Sequence, residues 1–151
     1  MIELKRILLV EDNANDVELT LAALAEHRLA NEVHVARDGA EALDYLYRRG
    51  KYRQLPPGHP AVVLLDIKMP KVSGLEVLKQ MKQEGNLKTI PVVILTSSRE
   101  EGDLVLSYQL GVNAYVVKPV DFNQFTEAVR NLGLFWAIVN EPPPGTLGRQ
   151  S

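Results

Sequence analysis

The stretch Val62-Val63-Leu64-Leu65-Asp66-Ile67-Lys68-Met69-Pro70 decides the fold of this chain. Four consecutive branched apolar residues run directly into the carboxylate of Asp66. An unbroken Val and Leu run of this length predicts a strand buried on both faces, as in a parallel sheet. Ligands of open parallel sheets bind just outside the carboxyl ends of the strands, which is where Asp66 falls. Taken alone, however, the stretch favours the simpler interpretation that Asp66 caps the following turn.

Four further apolar runs alternate with helical segments around this stretch. They predict strands at residues 7–10, 32–36, 91–95 and 114–117, in addition to the strand that ends at Asp66. Each strand is followed by a capping residue and, three positions later, by Glu or Gln, which predicts a helix start. Strand–helix alternation predicts right-handed crossovers and one parallel sheet with helices on both faces. The capping pairs are Asn15/Glu18, Asp38/Glu41, Ser73/Glu76, Ser98/Glu101 and Asp121/Gln124. The second helix is predicted to end at Gly50, the third at Gly85 and the fourth near Gly111.

Length and composition limit the class of protein. The chain has 151 residues, of which 46% are hydrophobic and 24% charged, so one globular domain with a single adequate core is expected. The net charge of -2 argues against nucleic-acid binding. The absence of cysteine excludes disulfides, thiolate catalysis and cysteine-based metal sites. No apolar run is long enough to cross a bilayer and no signal-peptide pattern is present, so a cytoplasmic protein without membrane partners is expected.

Polar residues follow the predicted strands at one edge of the sheet. They are Glu11 and Asp12 after the first strand, Asp66 after the third, Thr96 after the fourth and Lys118 after the fifth. Three clustered carboxylates repel one another, and Mg²⁺, which prefers oxygen ligands, would relieve that repulsion. A lysine and a hydroxyl beside them suit a phosphoryl group. The pattern therefore predicts phosphoryl transfer onto the carboxylate of Asp66.

Each of these residues has a simpler interpretation when it is considered singly. Glu11 and Asp12 could be turn residues before the first helix. Thr96 could be a β-branched strand end, and Lys118 could be a solvated cation. Their joint occurrence at the ends of neighbouring strands favours a common site.

Together these landmarks resemble the response regulator receiver domain of two-component signalling. The resemblance covers roughly residues 7–139. It implies a flavodoxin-like, doubly wound five-stranded parallel sheet with strand order 2-1-3-4-5 and five helices, an order for which a member of this family is a standard example. The matching segments are Val10-Glu11-Asp12, Leu64-Leu65-Asp66-Ile67-Lys68-Met69-Pro70 with Gly74, Leu95-Thr96-Ser97 and Tyr115-Val116-Val117-Lys118-Pro119.

The resemblance also implies the metal ligands and the acceptor. Asp66 would accept a phosphoryl group from the phosphohistidine of a sensor histidine kinase. Asp12 would bind Mg²⁺ directly and Glu11 partly through water. Asp66 and the main-chain carbonyl of Lys68 would be further ligands, and Mn²⁺ can substitute for Mg²⁺.

The remaining residues of the pattern would respond to the phosphoryl group. Lys118 would pair with it, Thr96 would move toward it, and Tyr115 would change rotamer. The Lys118–Pro119 peptide bond is expected to be cis. The role of Tyr115 rests on the resemblance alone, since packing is otherwise a sufficient explanation for a tyrosine in a strand.

The apolar pattern of the last helix predicts a contact with something other than the domain's own sheet. Residues 132–139 are apolar all round, whereas a surface helix has a single apolar stripe. Leu134, Phe135 and Ile138 are therefore predicted to line a homodimer interface, which the resemblance places on the fourth helix, fifth strand and fifth helix. The alternative is that the proline-rich tail folds back over them.

The predicted organisation is a receiver domain over residues 1–139 and a proline-rich tail over residues 140–151. Too few residues follow Val139 for an output domain, so the signal is expected to leave through protein–protein contact. The finer resemblance is to small regulators that are paired with cyanobacterial phytochrome kinases.

Two rival functions remain open at this point. One is a phosphatase that forms an aspartyl-phosphate on external substrates. Such enzymes use a second Asp two residues after the nucleophile as acid and base, and Lys68 occupies that position here. The other is a binding module with a vestigial site, which is disfavoured because the acidic, hydroxyl and lysine positions all occur together.

Overall fold

Strands and helices alternate along the chain, as the sequence predicts. The computed structural model describes residues 6–25, 32–55, 58–69, 72–112 and 114–131. The elements over these residues are β1 (Ile7–Val10), α1 (Ala14–Ala25), β2 (Val33–Ala36), α2 (Gly39–Tyr47), a 3₁₀ turn (Gly50–Tyr52), β3 (Val62–Asp66), α3 (Gly74–Gln83), β4 (Val92–Thr96), α4 (Arg99–Ser107), β5 (Tyr115–Val117) and α5 (Phe122–Asn131).

The five strands form one parallel sheet in the order β2-β1-β3-β4-β5. This confirms the flavodoxin-like strand order that the resemblance implied. The register pairs Val10 with Leu65 and Asp66 with Leu95. The carboxyl ends of β1, β3 and β4 therefore lie side by side at one edge of the sheet, and the predicted site residues follow those ends.

Two apolar cores lie on opposite faces of this sheet. Leu8 and Val10 pack with residues of α2, α3 and α4, whereas Ile7 and Leu9 pack with residues of α1 and α5. Successive strand residues point to opposite faces, so β1 and β3 contribute to both cores. All five residues of β3 are buried, which confirms that the run ending at Asp66 is a fully covered strand.

Most helices begin where the capping pattern predicts, but the prediction for α1 is wrong. The side chain of Asn13, and not that of Asn15, accepts the N–H of Asp16 at 2.9 Å. The helix consequently begins at Ala14, which brings Asp16 into its first turn at the carboxyl edge of the sheet. The caps that the structure confirms are Asp38, Ser73, Ser98 and Asp121.

Two predicted helix ends are also wrong. The helix α2 ends before Gly50, because Arg48 adopts a left-handed backbone with φ of 56° and donates its N–H back to the last turn. The helix α4 ends before Gly111, and Gln109 just beyond it has φ of 54°. At both helix ends a residue other than glycine adopts the left-handed conformation. The two helices therefore end before the glycines from which their ends were predicted.

The structure describes α5 as far as Asn131. The predicted dimer residues Leu134, Phe135 and Ile138, and the tail over residues 140–151, lie outside the described residues. Among the helices that are described, none combines the length and the apolar character needed to cross a membrane.

Candidate functional site

Three carboxylates meet at the carboxyl edge of the sheet. Glu11 and Asp12 directly follow β1, and Asp66 ends the neighbouring strand β3. One carboxylate oxygen of each residue lies within 4.8 Å of the other two. Glu11 and Asp66 are buried and Asp12 is half-buried, so solvent reaches the cluster at Asp12. The structure thus brings together the three acids that the strand ends predicted.

Lys118 provides the positive charge beside this cluster. Its Nζ lies 3.2 Å from Glu11 Oε1, 3.4 Å from Asp66 Oδ1 and 3.1 Å from Asp16 Oδ2. Burial alone would lower the pKa of Lys118, but its hydrogen bond to Asp16 and the charges of Asp66 and Glu11 raise the pKa above its ordinary value. The peptide bond to Pro119 is cis, as the resemblance implied. Lys118 is therefore a fixed cation shared among three acids.

The pKa of Glu11 is raised within this cluster. Burial raises the pKa of Glu11 to about 7, and the hydrogen bond to Asp66 and the charge of Asp66 act in the same direction. The charge of Lys118 and the N–H of Asn13, which lies 3.3 Å from Oε2, act in the opposite direction. A dication placed among these oxygens would favour their ionised forms. The donor set therefore fits a hard divalent cation, which prefers carboxylate oxygens.

Glu11→Gln is expected to stabilise the protein in the presence of a metal chelator. The pKa of Glu11 is about 7 in the folded protein, against 4.5 for an unperturbed glutamate. Ionisation of Glu11 therefore favours the unfolded chain, and this loss of stability develops as the pH rises through that interval. The variant should gain about 2 kcal/mol in free energy of unfolding at about pH 8 and nothing at about pH 4. Urea denaturation at the two pH values measures the gain, and equal gains at both would contradict the prediction.

Thr96 is at the predicted edge, but its hydroxyl is engaged with α4. The side chain is fully buried at the end of β4. Its Oγ1 lies 2.5 Å from Glu101 Oε1 and 2.9 Å from the carbonyl oxygen of Ser98, and it accepts the Ser98 N–H at 3.2 Å. The hydroxyl that the resemblance assigns to the phosphoryl group is thus held by the start of the following helix.

Tyr115 is also held by α4. Its hydroxyl donates to Asp103 Oδ1 at 2.8 Å. Its ring lies against Gly102, where an added Cβ would be 2.5 Å from the ring carbon Cδ1. A side chain at position 102 would consequently displace the ring. The described conformation of Tyr115 therefore depends on two adjacent residues of one helix.

The loop after β3 approaches Asp66 closely. The N–H of Lys68 lies 3.4 Å from Asp66 Oδ1, and the N–H of Gly74 donates to the Ile67 carbonyl at 3.0 Å. A Cβ at Gly74 would lie 2.1 Å from the main-chain oxygen of Asp66. Since no L side chain fits that distance, the start of α3 can contact the Asp66 main chain only through glycine.

This arrangement matches a known family. The family model for the response regulator receiver domain matches residues 7–130. The chain belongs to the response regulator receiver family. A receiver domain is a signalling module and not a classical enzyme, so membership decides against the interpretation as a phosphatase of external substrates.

The relatives of this receiver domain include phytochrome response regulators. Response regulator Rcp1 of Synechocystis sp. is 39% identical over 132 residues, which cover 87% of this chain and 88% of Rcp1. The structure of a Mn²⁺-bound form of Rcp1 has a TM-score of 0.71 at 38% identity and covers 92% of this chain and 99% of that chain. The bacteriophytochrome response regulator AtBRR is 66% identical with a TM-score of 0.87, covering 93% of this chain and 100% of that chain. The phosphorylated cyanobacterial phytochrome response regulator RcpA is 41% identical with a TM-score of 0.71, covering 89% and 95%.

Three acids of the receiver site were not predicted as site residues. Asp16 contacts Lys118, Glu101 contacts Thr96, and Asp103 contacts Tyr115. The only sequence signal among them was at Glu101, which the capping pattern identified as the partner of Ser98. The contact of Asp16 with Lys118 follows from the cap at Asn13, which places Asp16 in the first turn of α1.

Proposed function

We propose that this receiver domain accepts a phosphoryl group on Asp66 in the presence of a divalent cation. The observation that carries the proposal is the position of the Asp66 carboxylate. It is buried, it lies within 4.8 Å of oxygens of Glu11 and Asp12, and it is 3.4 Å from Lys118 Nζ. The related structures of a phosphorylated regulator and of a Mn²⁺-bound regulator support the same chemistry.

In the proposed step, a carboxylate oxygen of Asp66 forms a bond to phosphorus while the bond from phosphorus to the donor breaks. With a phosphohistidine donor, the imidazole nitrogen leaves with the electron pair and takes up a proton. Lys118 lies close enough to pair with the phosphoryl oxygens as their negative charge approaches. Thr96 supplies one further donor once its hydroxyl leaves its present acceptors.

Glu11, Asp12 and Asp66 are the proposed ligands of Mg²⁺, with the main-chain carbonyl of Lys68 as a further ligand. Mn²⁺ can substitute, because both ions accept oxygen ligands. When bound, the ion neutralises negative charge on the phosphoryl oxygens. The raised pKa of Glu11 supports this assignment, since burial and the neighbouring Asp66 both disfavour the ionised form and a dication would favour it.

The proposed donor is a sensor histidine kinase of the phytochrome type. The support is the similarity to AtBRR, Rcp1 and RcpA, two of which are named as regulators of bacterial or cyanobacterial phytochromes. AtBRR is also covered along its whole length. The proposed location is cytoplasmic, where such a kinase would present its phosphohistidine.

The proposed output is a protein–protein contact on α4, β5 and α5. A groove of about 640 Å³ lies there. Tyr115 lines this groove, and its hydroxyl donates a hydrogen bond to Asp103 of α4. A change of the Tyr115 rotamer would therefore alter the groove. The same face is the proposed homodimer interface. Leu134, Phe135 and Ile138, which the sequence predicts for that interface, lie outside the described residues. Other residues that line the groove are Arg99, Leu106, Val117, Asn123 and Ala128.

Acetyl phosphate with Mg²⁺ is expected to add one phosphoryl group to the wild-type protein, and a chelator is expected to prevent the addition. The reason is that the acids of the site repel an incoming anion unless a dication neutralises them. Intact-mass spectrometry at neutral pH measures the modified fraction. A mass that never changes would overturn the phosphoacceptor proposal, and labelling that survives chelation would overturn the metal assignment.

Light scattering on the same samples tests the interface, since a monomeric mass in all of them would contradict a homodimer.

A further inference from the structure

Glu101 joins two parts of the site to the first turn of α4. Its Oε1 accepts the hydroxyl of Thr96 at 2.5 Å and the N–H of Ser97 at 3.1 Å. Its Oε2 lies 3.0 Å from the ammonium of Lys68. Thr96 ends β4 and Lys68 lies in the loop after β3. One carboxylate therefore connects the two segments that flank Asp66 to a single helix.

The environment of Glu101 makes its hydrogen bonds to Thr96 and Ser97 strong ones. The Glu101 side chain is 17% exposed, whereas that of Lys68 is 74% exposed, so solvent screens the ion pair with Lys68. Burial would raise the pKa of Glu101, but the hydrogen bonds from Thr96, Lys68 and the Ser97 N–H lower it to about 2. Glu101 is therefore ionised, and a hydrogen bond to an ionised acceptor is stronger than one between neutral groups.

We propose that Glu101 is a positioning residue that competes with the phosphoryl group on Asp66 for the hydroxyl of Thr96. The inference rests on the proposed function and adds to it a determinant of how readily the phosphorylated state forms. A threonine has one hydroxyl proton and donates it to one acceptor at a time. When Thr96 turns to a phosphoryl oxygen, its bond to Glu101 breaks.

The competition also connects the site to the α4 surface. The residues that follow Glu101 are Gly102, against which the Tyr115 ring lies, and Asp103, which accepts the Tyr115 hydroxyl. Three consecutive residues of α4 thus hold both Thr96 and Tyr115. Loss of the bond between Thr96 and Glu101 removes one restraint from the turn that holds Tyr115, so the two predicted switch residues are coupled through this helix.

Binding of beryllofluoride, a phosphoryl mimic, tests the proposal at saturating Mg²⁺. Glu101→Ala is expected to bind it about tenfold more tightly than the wild type, the scale of one charge-assisted hydrogen bond that no longer has to break. Glu101→Gln keeps an acceptor for Thr96 and loses the ion pair. Its affinity for beryllofluoride should therefore lie between those of the wild type and Glu101→Ala. Fluorine NMR titration measures the dissociation constants, and circular dichroism checks that each variant is folded.

Two controls separate positioning from a structural or general charge effect. Glu100→Ala removes the same charge from the exposed neighbouring position and should change the affinity by less than about twofold. In a Thr96→Ala background, the gain from Glu101→Ala should shrink, because the shared hydrogen bond is already absent. Equal affinities of wild type and Glu101→Ala, an equal gain from Glu100→Ala, or an undiminished gain without Thr96 would each overturn the proposal. Failure of the wild type to bind beryllofluoride would instead overturn the proposed function on which it rests.

Discussion

Asp66→Asn is expected to abolish phosphorylation by acetyl phosphate and Mg²⁺. An asparagine has nearly the same shape as the aspartate, but its amide cannot act as the nucleophile that a carboxylate provides. The loss should therefore be complete, while the fold is retained. Intact-mass spectrometry measures the phosphorylated fraction, and circular dichroism reports the fold.

Glu100→Gln is the matched control for this experiment. It makes the same change from carboxylate to amide at an exposed position of α4, away from Glu11 and Asp12. This variant should be phosphorylated, because it leaves the acceptor and the three acids intact. If Asp66→Asn became phosphorylated to the level of the wild type, the acceptor would have to be another carboxylate.

Gly74→Ala is expected to lower the free energy of unfolding by about 3 kcal/mol, the upper part of the range for overpacked interiors. The added Cβ would lie 2.1 Å from the Asp66 main-chain oxygen, so either α3 or the end of β3 has to move. A moved β3 end also displaces the acceptor, and the rate of phosphorylation should fall with the stability. Urea denaturation measures the first effect, and the time course of labelling by acetyl phosphate measures the second.

Gly85→Ala provides the comparison, because a Cβ at that position meets no atom within 4 Å. It should leave the rate of phosphorylation unchanged. The free energy of unfolding should stay the same or rise by up to about 1 kcal/mol, since alanine reduces the freedom of the unfolded chain. Equal losses of stability in Gly74→Ala and Gly85→Ala would show that the contact with the Asp66 main chain does not explain the effect.

The sequence was sufficient to predict the layers of the fold. The run from Val62 to Leu65 is buried throughout, and the apolar runs of β1 and β4 behave in the same way. Burial on both faces needs helices on both sides, which the alternation of elements supplied. The order of the strands came from the resemblance, because apolar patterns state which strands are covered but not which strands are neighbours.

The sequence was also sufficient to predict the acids and the lysine of the site, but not the contacts that hold their side chains in place. Strand ends have a fixed place in a parallel sheet, so Glu11, Asp66 and Lys118 could be placed without coordinates. Asp16 lies in the first turn of α1, where one misplaced cap moves a side chain to another face. Glu101 was predicted as a capping partner of Ser98, but a capping pattern does not show that its carboxylate accepts the Thr96 hydroxyl. Asn13 and Asn15 are both good caps, and only the structure distinguishes them.

The two cores on opposite faces of the sheet have a consequence for how this domain transmits a signal. The proposed acceptor lies on β3, at the centre of the sheet, where both cores would have to open before the strand could exchange its amide hydrogens. Tyr115 begins β5, a three-residue strand at the sheet margin with one fully covered residue. Local opening costs least at such a margin. Within the sheet, the proposed acceptor thus lies where local opening costs most, whereas the proposed switch residue Tyr115 lies at a margin where it costs least.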